Sequence, residues 1–245
     1  MSNLWSMVEE LKSPKYKWVE LSHVLSPETP HWIGFNPLSS ELALDYHEGP
    51  FDVTAISYTI VSQYGTHIDC PQHFVSGGRT LADVPTKSTM FPLCVIDVSA
   101  KVKENADYAL TVDDIKAYEA AYGKIPEDAF VAMRSDWSII AADDYENNDA
   151  DGNPHYPGWS LDALKFLVDE RNVGAIGHEP TDTDAPAAGV GWAGELYILQ
   201  QDKIQIEVMA NLDKVPPAGG IILCSWPRVK DGVGFSARCI AIFEE

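Results

Sequence analysis

The chain has 245 residues, room for one large domain or two small ones, and its 45% hydrophobic content is enough to bury a full core. Seventeen basic residues against 37 acidic ones give a formal net charge of −20. Such a balance repels nucleic acid and anionic membrane surfaces and argues against both as partners.

Residues 1–16 read as a short amphipathic helix and linker, with Trp5, Met7 and Leu11 as its apolar anchors. The main domain is therefore expected over residues 18–245, behind an N-terminal helix and linker of residues 1–17. Trp18 to Leu25 reads as a strand, and the loop after it, with Pro27, Pro30 and Trp32, is fixed by its prolines. His23 reads as a structural, hydrogen-bonding histidine. Residues 51–62 alternate and are β-branched, which predicts a strand leading straight into Ser62–Phe74. Leu93–Val98 and Ala129–Arg134 read as buried strands. Between them, Thr111 caps a helix that runs to about Tyr122 and stops at Gly123.

Asp143 to Asn153 is acidic and reads as a long exposed loop. Pro157–Ser160 then caps a helix from Leu161 to about Arg171, with Ala163, Leu164, Leu167 and Val168 as its apolar stripe. Val173–Gly177 is a strand with a polar cluster, His178 to Asp184, at its carboxyl end, where α/β folds place sites. A helical segment carries Glu195, and a strand-like run from Ile204 to Val208 carries Glu207. Gly219–Cys224 and Phe235–Ile242 read as the closing strands. The expected fold class is α/β: a single mixed-sheet domain in which strands dominate and two clear helices pack on them.

No apolar run reaches the length of a membrane span. The first residues lack a basic region followed by an apolar stretch, and Cys70, Cys94, Cys224 and Cys239 form no C-x-x-C pair. A cytoplasmic location is expected, with reduced and mostly buried cysteines.

The chemistry concentrates in Ser62–Phe74. In an extended segment alternate side chains share a face, so His67 and Asp69 point the same way. Pro71 bends the chain and can return His73 to the same point. An imidazole and a carboxylate on one face suit a divalent ion such as zinc or manganese. A neighbouring histidine suits proton transfer near neutral pH. A Glu207 set between Ile206 and Val208 is costly to bury unless a cation pairs with it.

The run Gly65–His73, G-T-H-I-D-C-P-Q-H, resembles the H-x-G-T-H-x-D-x-P-x-H signature of the cyclase family of metal-dependent hydrolases, which includes bacterial kynurenine formamidases and isatin hydrolases. Weaker likenesses follow in the family's order: Leu21–His23, the His178–Asp184 cluster, Ile204–Leu212 and the last strand. The resemblance implies the family's swivelling β/β/α fold and association as a homodimer or homotetramer. It implies a metal on His67, Asp69 and Glu207, with His73 as the proton-transfer group. It further implies that the Pro/Trp loop with Trp32 contributes to the substrate pocket, and Phe35, Tyr64 and Trp192 read with it as an apolar wall for an aromatic substrate.

Two positions depart from the formamidase branch. Gln63 and Glu195 stand where that branch has histidines, and form a candidate additional site. Losing two imidazoles favours one ion per chain over two, with more oxygen ligands, hence manganese as well as zinc. The implied activity is metal-dependent hydrolysis of a C–N bond in a small linear or cyclic amide, of arylformamide or isatin-like type. The same departures motivate a second reading, a binding protein of altered or lost activity. A third is a cyclase or dehydratase acting on a polyketide-like acid.

Overall fold

A computed structural model describes residues 3–47 and 52–245. Residues 1–2 of the expected first helix and Phe51 of the expected 51–62 strand lie outside the described residues. The first half holds α1 (Leu4–Leu11), β1 (Tyr16–Glu20), β2 (Ser39–Leu44), β3 (Ala55–Thr59), β4 (His67–Asp69), β5 (Met90–Asp97), α2 (Ser99–Glu104), β6 (Ala109–Leu110) and α3 (Val112–Tyr122). The second holds β7 (Phe130–Arg134), β8 (Gly158–Trp159), α4 (Leu161–Lys165), β9 (Ala175–His178), α5 (Ala193–Gln200), β10 (Ile204–Glu207), β11 (Gly220–Ser225), β12 (Gly234–Ser236) and β13 (Arg238–Glu244).

Nine of these strands form one mixed sheet in the order β1-β13-β11-β5-β7-β9-β10-β4-β12. Its centre, β5-β7-β9-β10, is parallel, and both flanks are antiparallel. Parallel strands covered on both faces read as continuous apolar runs, and Phe130–Met133 is wholly buried. One face packs Ile115, Trp137, Leu164, Leu167 and Ile198 from the helices and loops. The other gathers Leu21, Ile68, Phe91, Ile206 and Ile222. The sheet curls: Ser22, just past β1, bridges Met209, just past β10, and the Ala210 N–H donates to the Leu21 carbonyl at 2.9 Å. The result is the mixed α/β single domain expected.

Helix α3 is defined by its ends. Thr111 Oγ1 accepts from the Asp114 N–H, and the Asp114 carboxylate accepts from the Thr111 N–H at 2.8 Å, a reciprocal cap. Helix α4 starts at Ser160, whose hydroxyl accepts from the Ala163 N–H, and continues as wider π turns over Phe166–Glu170.

Several expectations are corrected. Trp5 and Met7 do not anchor α1, since both are exposed; α1 is tied instead by the Trp18 indole, which donates to the Leu11 carbonyl at 2.7 Å. The first strand starts at Tyr16 and stops at Glu20, before the proline loop. The alternating 51–62 segment gives only Ala55–Thr59, and its partner is the unforeseen β2 in a ribbon apart from the main sheet, with Leu42, Ile56 and Tyr58 exposed. The acidic 143–153 loop buries Tyr145 and Glu146. The last strand divides at Ala237, whose N–H donates to the Thr66 carbonyl, so β12 joins β4 while β13 joins β1 and β11. No described helix is long and apolar enough to cross a membrane.

Candidate metal centre and active site

Strand β4 is three residues long and wholly buried, sandwiched between β10 and β12. Its alternation sends Ile68 to the core and His67 and Asp69 to the opposite face. The antiparallel register sets Glu207 directly across from His67, and Gln205 across from Asp69. His67 Nε2 lies 3.3 Å from Asp69 Oδ2 and 3.4 Å from Glu207 Oε2. His67 Nδ1 sits 2.8 Å from the Gly65 carbonyl, which can only accept, so the ring donates from Nδ1 and turns Nε2 to the carboxylates.

A turn at Pro71–His73 returns His73 to this centre. Its Nε2 is 3.8 Å from Asp69 Oδ1 and 3.9 Å from Glu195 Oε1, and its ring is half-buried. Two groups of candidate ligands result, His67–Asp69–Glu207 and Asp69–His73–Glu195, sharing Asp69. Glu195 arrives on the first turn of α5, and Asp184 holds that turn by accepting from the Gly194 and Glu195 N–H groups.

Electrostatics explain why these residues fit a divalent cation. Asp69, Glu195 and Glu207 are all buried, and among the described residues their charged partners are only histidines. Burial opposes charge on His67, but Asp69 and Glu207 outweigh it and raise the imidazole well above its ordinary range. Burial likewise opposes charge on Asp69, but His67 prevails and holds its carboxyl low. Glu195 is driven well up by burial and then by the charges of Glu207 and Asp69. Asp69 Oδ1 is buried with no hydrogen-bond partner. An imidazole and two carboxylates closing on an unsatisfied oxygen suit a borderline-hard divalent ion.

Above the centre lies a pocket of about 200 Å³, walled by Trp32, Phe35, Phe74 and Trp192, with Gln63, His67, Glu195 and Glu207 at its floor. Three of the four expected aromatic wall residues are present. Tyr64 is not: it is fully buried, its ring lies on His31 and its hydroxyl donates to the Ser26 carbonyl at 2.9 Å. Gln63 Oε1 accepts from the Ser62 hydroxyl, while its Nε2 is buried without a partner. Gly234 makes this possible, since a Cβ there would lie 2.5 Å from Gln63 Nε2 and 2.9 Å from Asp69 Oδ1.

Gln205 was not anticipated as a site residue, whereas His178 and Asp182 belong to the polar cluster that the sequence sets at the carboxyl end of a strand. Gln205, fully buried, donates from Nε2 toward Glu207 Oε1 at 2.9 Å, Glu195 Oε1 at 3.1 Å and Asp69 Oδ2 at 3.4 Å. Its spacing of two from Glu207 was the available signal. His178 Nε2 lies 3.2 Å from Glu207 Oε1. Asp182 borders the pocket, accepts from the Tyr156 hydroxyl, and is pushed up to about 7 by burial and then by Glu207. Glu179 serves elsewhere: it accepts from the Ser135 and Trp137 N–H groups and so organises the exit of β7. Val208, next to Glu207, has φ of +52°, strained for a β-branched residue. Its N–H donates to the Pro180 carbonyl and its own carbonyl accepts from the Thr66 hydroxyl, so the strand end is pinned beside the ligand.

The curled mixed sheet brings a buried imidazole–carboxylate centre, fit for a divalent metal, to the floor of an aromatic pocket. The family model described as "Putative cyclase" matches residues 19–185. An isatin hydrolase from Roseibium aggregatum is 32% identical over 206 residues, 80% of this chain and 76% of that protein. A kynurenine formamidase from Bacillus anthracis is 33% identical over 84 residues, 34% of this chain and 39% of that protein. The structure of isatin hydrolase A from Labrenzia aggregata bound to benzyl benzoate superposes with a TM-score of 0.92 at 32% identity, covering 100% of both chains. The chain belongs to the cyclase family.

Proposed function

We propose that the protein hydrolyses the C–N bond of a small aromatic amide, and that a cyclic, isatin-like amide suits it better than an open arylformamide. The observation that carries this reading is His73, poised at the lip of the His67–Asp69–Glu207 centre with Nε2 3.8 Å from Asp69. The longer match to an isatin hydrolase than to a formamidase supports the cyclic class.

His67, Asp69 and Glu207 would hold one manganese or zinc ion per chain, which supplies Lewis acidity toward the carbonyl and lowers the pKa of water. His73 takes a proton from the attacking water as its oxygen adds to the carbonyl carbon. It returns that proton to the nitrogen as the C–N bond breaks. The unpartnered Gln63 Nε2 donates to the oxygen that gains charge in the tetrahedral intermediate. Trp32, Phe35 and Trp192 clasp the planar ring and keep bulk water out. A cyclic amide leaves as one molecule bearing a new carboxylate and a free amine.

The catalytic unit would start two residues before the expected boundary, with β1, since Tyr16 and Lys17 already pair with β13, and α1 would be the appended helix. A homodimer or homotetramer would cover the exposed Leu4, Trp5, Met7 and Val8 of α1 and the apolar side chains of the β2–β3 ribbon. A cytoplasmic site of action suits the four free cysteines. The test is turnover of isatin and of N-formylkynurenine by manganese-loaded protein. Consumption of isatin that stops on chelation is expected, and inertness toward both compounds would sink the reading.

A further inference from the structure

We infer that Trp159 and His178 are positioning residues that decide which oxygen of Glu207 faces the metal centre. The inference rests on the reading of Glu207 as a ligand.

His178 is the last residue of β9 and is fully buried. Its ring lies between an indole and a carboxylate. Trp159 Nε1 approaches His178 Nδ1 at 3.3 Å, and His178 Nε2 lies 3.2 Å from Glu207 Oε1. An indole N–H can only donate. Nδ1 of His178 therefore accepts, the ring proton resides on Nε2, and Nε2 donates to Glu207 Oε1. The tryptophan, which hydrogen-bonds to none of the proposed ligands and does not line the pocket, sets the tautomer of the histidine, and the histidine sets the carboxylate.

Glu207 Oε1 also receives Gln205 Nε2 at 2.9 Å. The Thr183 hydroxyl lies 2.8 Å from Gln205 Oε1 and fixes the orientation of that amide, so its NH2 end points at the carboxylate. Oε1 is thus held by these two donors, with the Thr183 hydroxyl as a third at 3.4 Å, and Oε2 remains as the oxygen 3.4 Å from His67 Nε2. Turning the carboxylate would break these bonds in a dry interior, where each unmet polar group is costly. Trp159 is itself held in place: it is buried in the helix-side core, and its backbone N–H donates to the Thr183 carbonyl at 2.8 Å. Without the indole N–H, His178 is free to take the other tautomer. It would then present a lone pair to Oε1, and Glu207 would swing.

Calorimetric titration of MnCl2 into metal-free protein tests this, with thermal unfolding of the same samples to verify folding. Trp159→Phe and His178→Leu should each weaken manganese binding ~10–100-fold, the usual effect of removing a group that orients a ligand. His178→Gln keeps a donor where Nε2 was and needs no tautomer lock, so it should recover most of the affinity. In the His178→Gln background, Trp159→Phe should then cost nothing. Trp159 that matters only for packing would cost the same in both backgrounds, and that result overturns the inference. Unchanged affinity in Trp159→Phe alone also overturns it, whether or not His178→Leu folds. Glu207→Gln separates the two readings. If it leaves binding intact, the ligand assignment fails; if it abolishes binding while Trp159→Phe does not weaken it, only the positioning role fails.

Discussion

Asp184 spans from the segment after β9 to the first turn of α5, where its carboxylate accepts the Glu195 N–H at 3.1 Å. The same carboxylate accepts the Gly194 N–H at 2.8 Å. A carboxylate at a helix N-terminus meets unpaired donors and the favourable end of the dipole, so α5 starts where Glu195 can reach the centre. The arrangement depends on Gly194, since a Cβ there would lie 2.7 Å from Asp184 Oδ1 and 2.8 Å from Leu164 Cδ1. Gly194→Ala should destabilise the fold by about 1–3 kcal/mol, the range for overpacking a tight site. Urea unfolding measures it, and an unchanged midpoint would contradict the close packing.

His73 carries the proton in the proposed reaction, so His73→Ala should lower kcat by roughly 10²–10⁴-fold while leaving substrate binding largely intact. Manganese affinity should change little, because the first triad does not include His73. A matching collapse of metal affinity would instead make His73 a ligand.

Removing the ion should abolish turnover and lower the melting temperature, since a cation held by the folded state alone stabilises it by about 2.7 kcal/mol at a hundredfold excess over Kd. Elemental analysis after gel filtration should return one manganese or zinc per chain. A ratio of two would mean that Asp69–His73–Glu195 is loaded as well.

Asp182 predicts a pH dependence. Its carboxyl is pushed up to about 7 from an ordinary 3.8. Between these values the folded chain keeps a proton that the unfolded chain has lost, so stability declines as pH rises from about 4 to about 7 and levels above. Asp182→Asn should remove that part of the decline and raise stability at pH 8 by about 1–2 kcal/mol, less than the full shift because the group borders the pocket and is screened there. Denaturant titrations of metal-free protein at pH 5 and pH 8 provide the comparison; equal effects at both would refute the assignment.

Local signals in the sequence were sufficient for some elements. Thr111 and Gly123 mark both ends of α3 because a reciprocal cap and a helix stop are local devices. The two-residue spacing of His67 and Asp69 places both on one face because strand geometry demands it. Other features needed the tertiary fold. Alternation in Ala55–Thr59 signals a strand, but only the pairing pattern reveals that it joins a detached ribbon rather than the sheet. Tyr64 lies beside the signature yet turns into the core, because its hydroxyl finds the Ser26 and Pro27 carbonyls. Gln205 shares a face with Glu207, but its place among three carboxylates follows from the pairing of β10 with β4. Trp159 and His178 meet across 19 positions of chain, beyond the reach of any local pattern.

The cross-strand match of His67 with Glu207 also limits how such a chain can diversify. Adding or deleting a single residue in β4 would turn Ile68 into the pocket and His67 or Asp69 into the core, and the same change in β10 would do so to Ile206 and Glu207. The reactive heart is therefore woven into the sheet and tolerates almost no drift. Freedom to accept new molecules lies at the rim, in the Trp32–Phe35 loop and at Trp192, which belong to no strand or helix and can be remodelled without unpicking the weave.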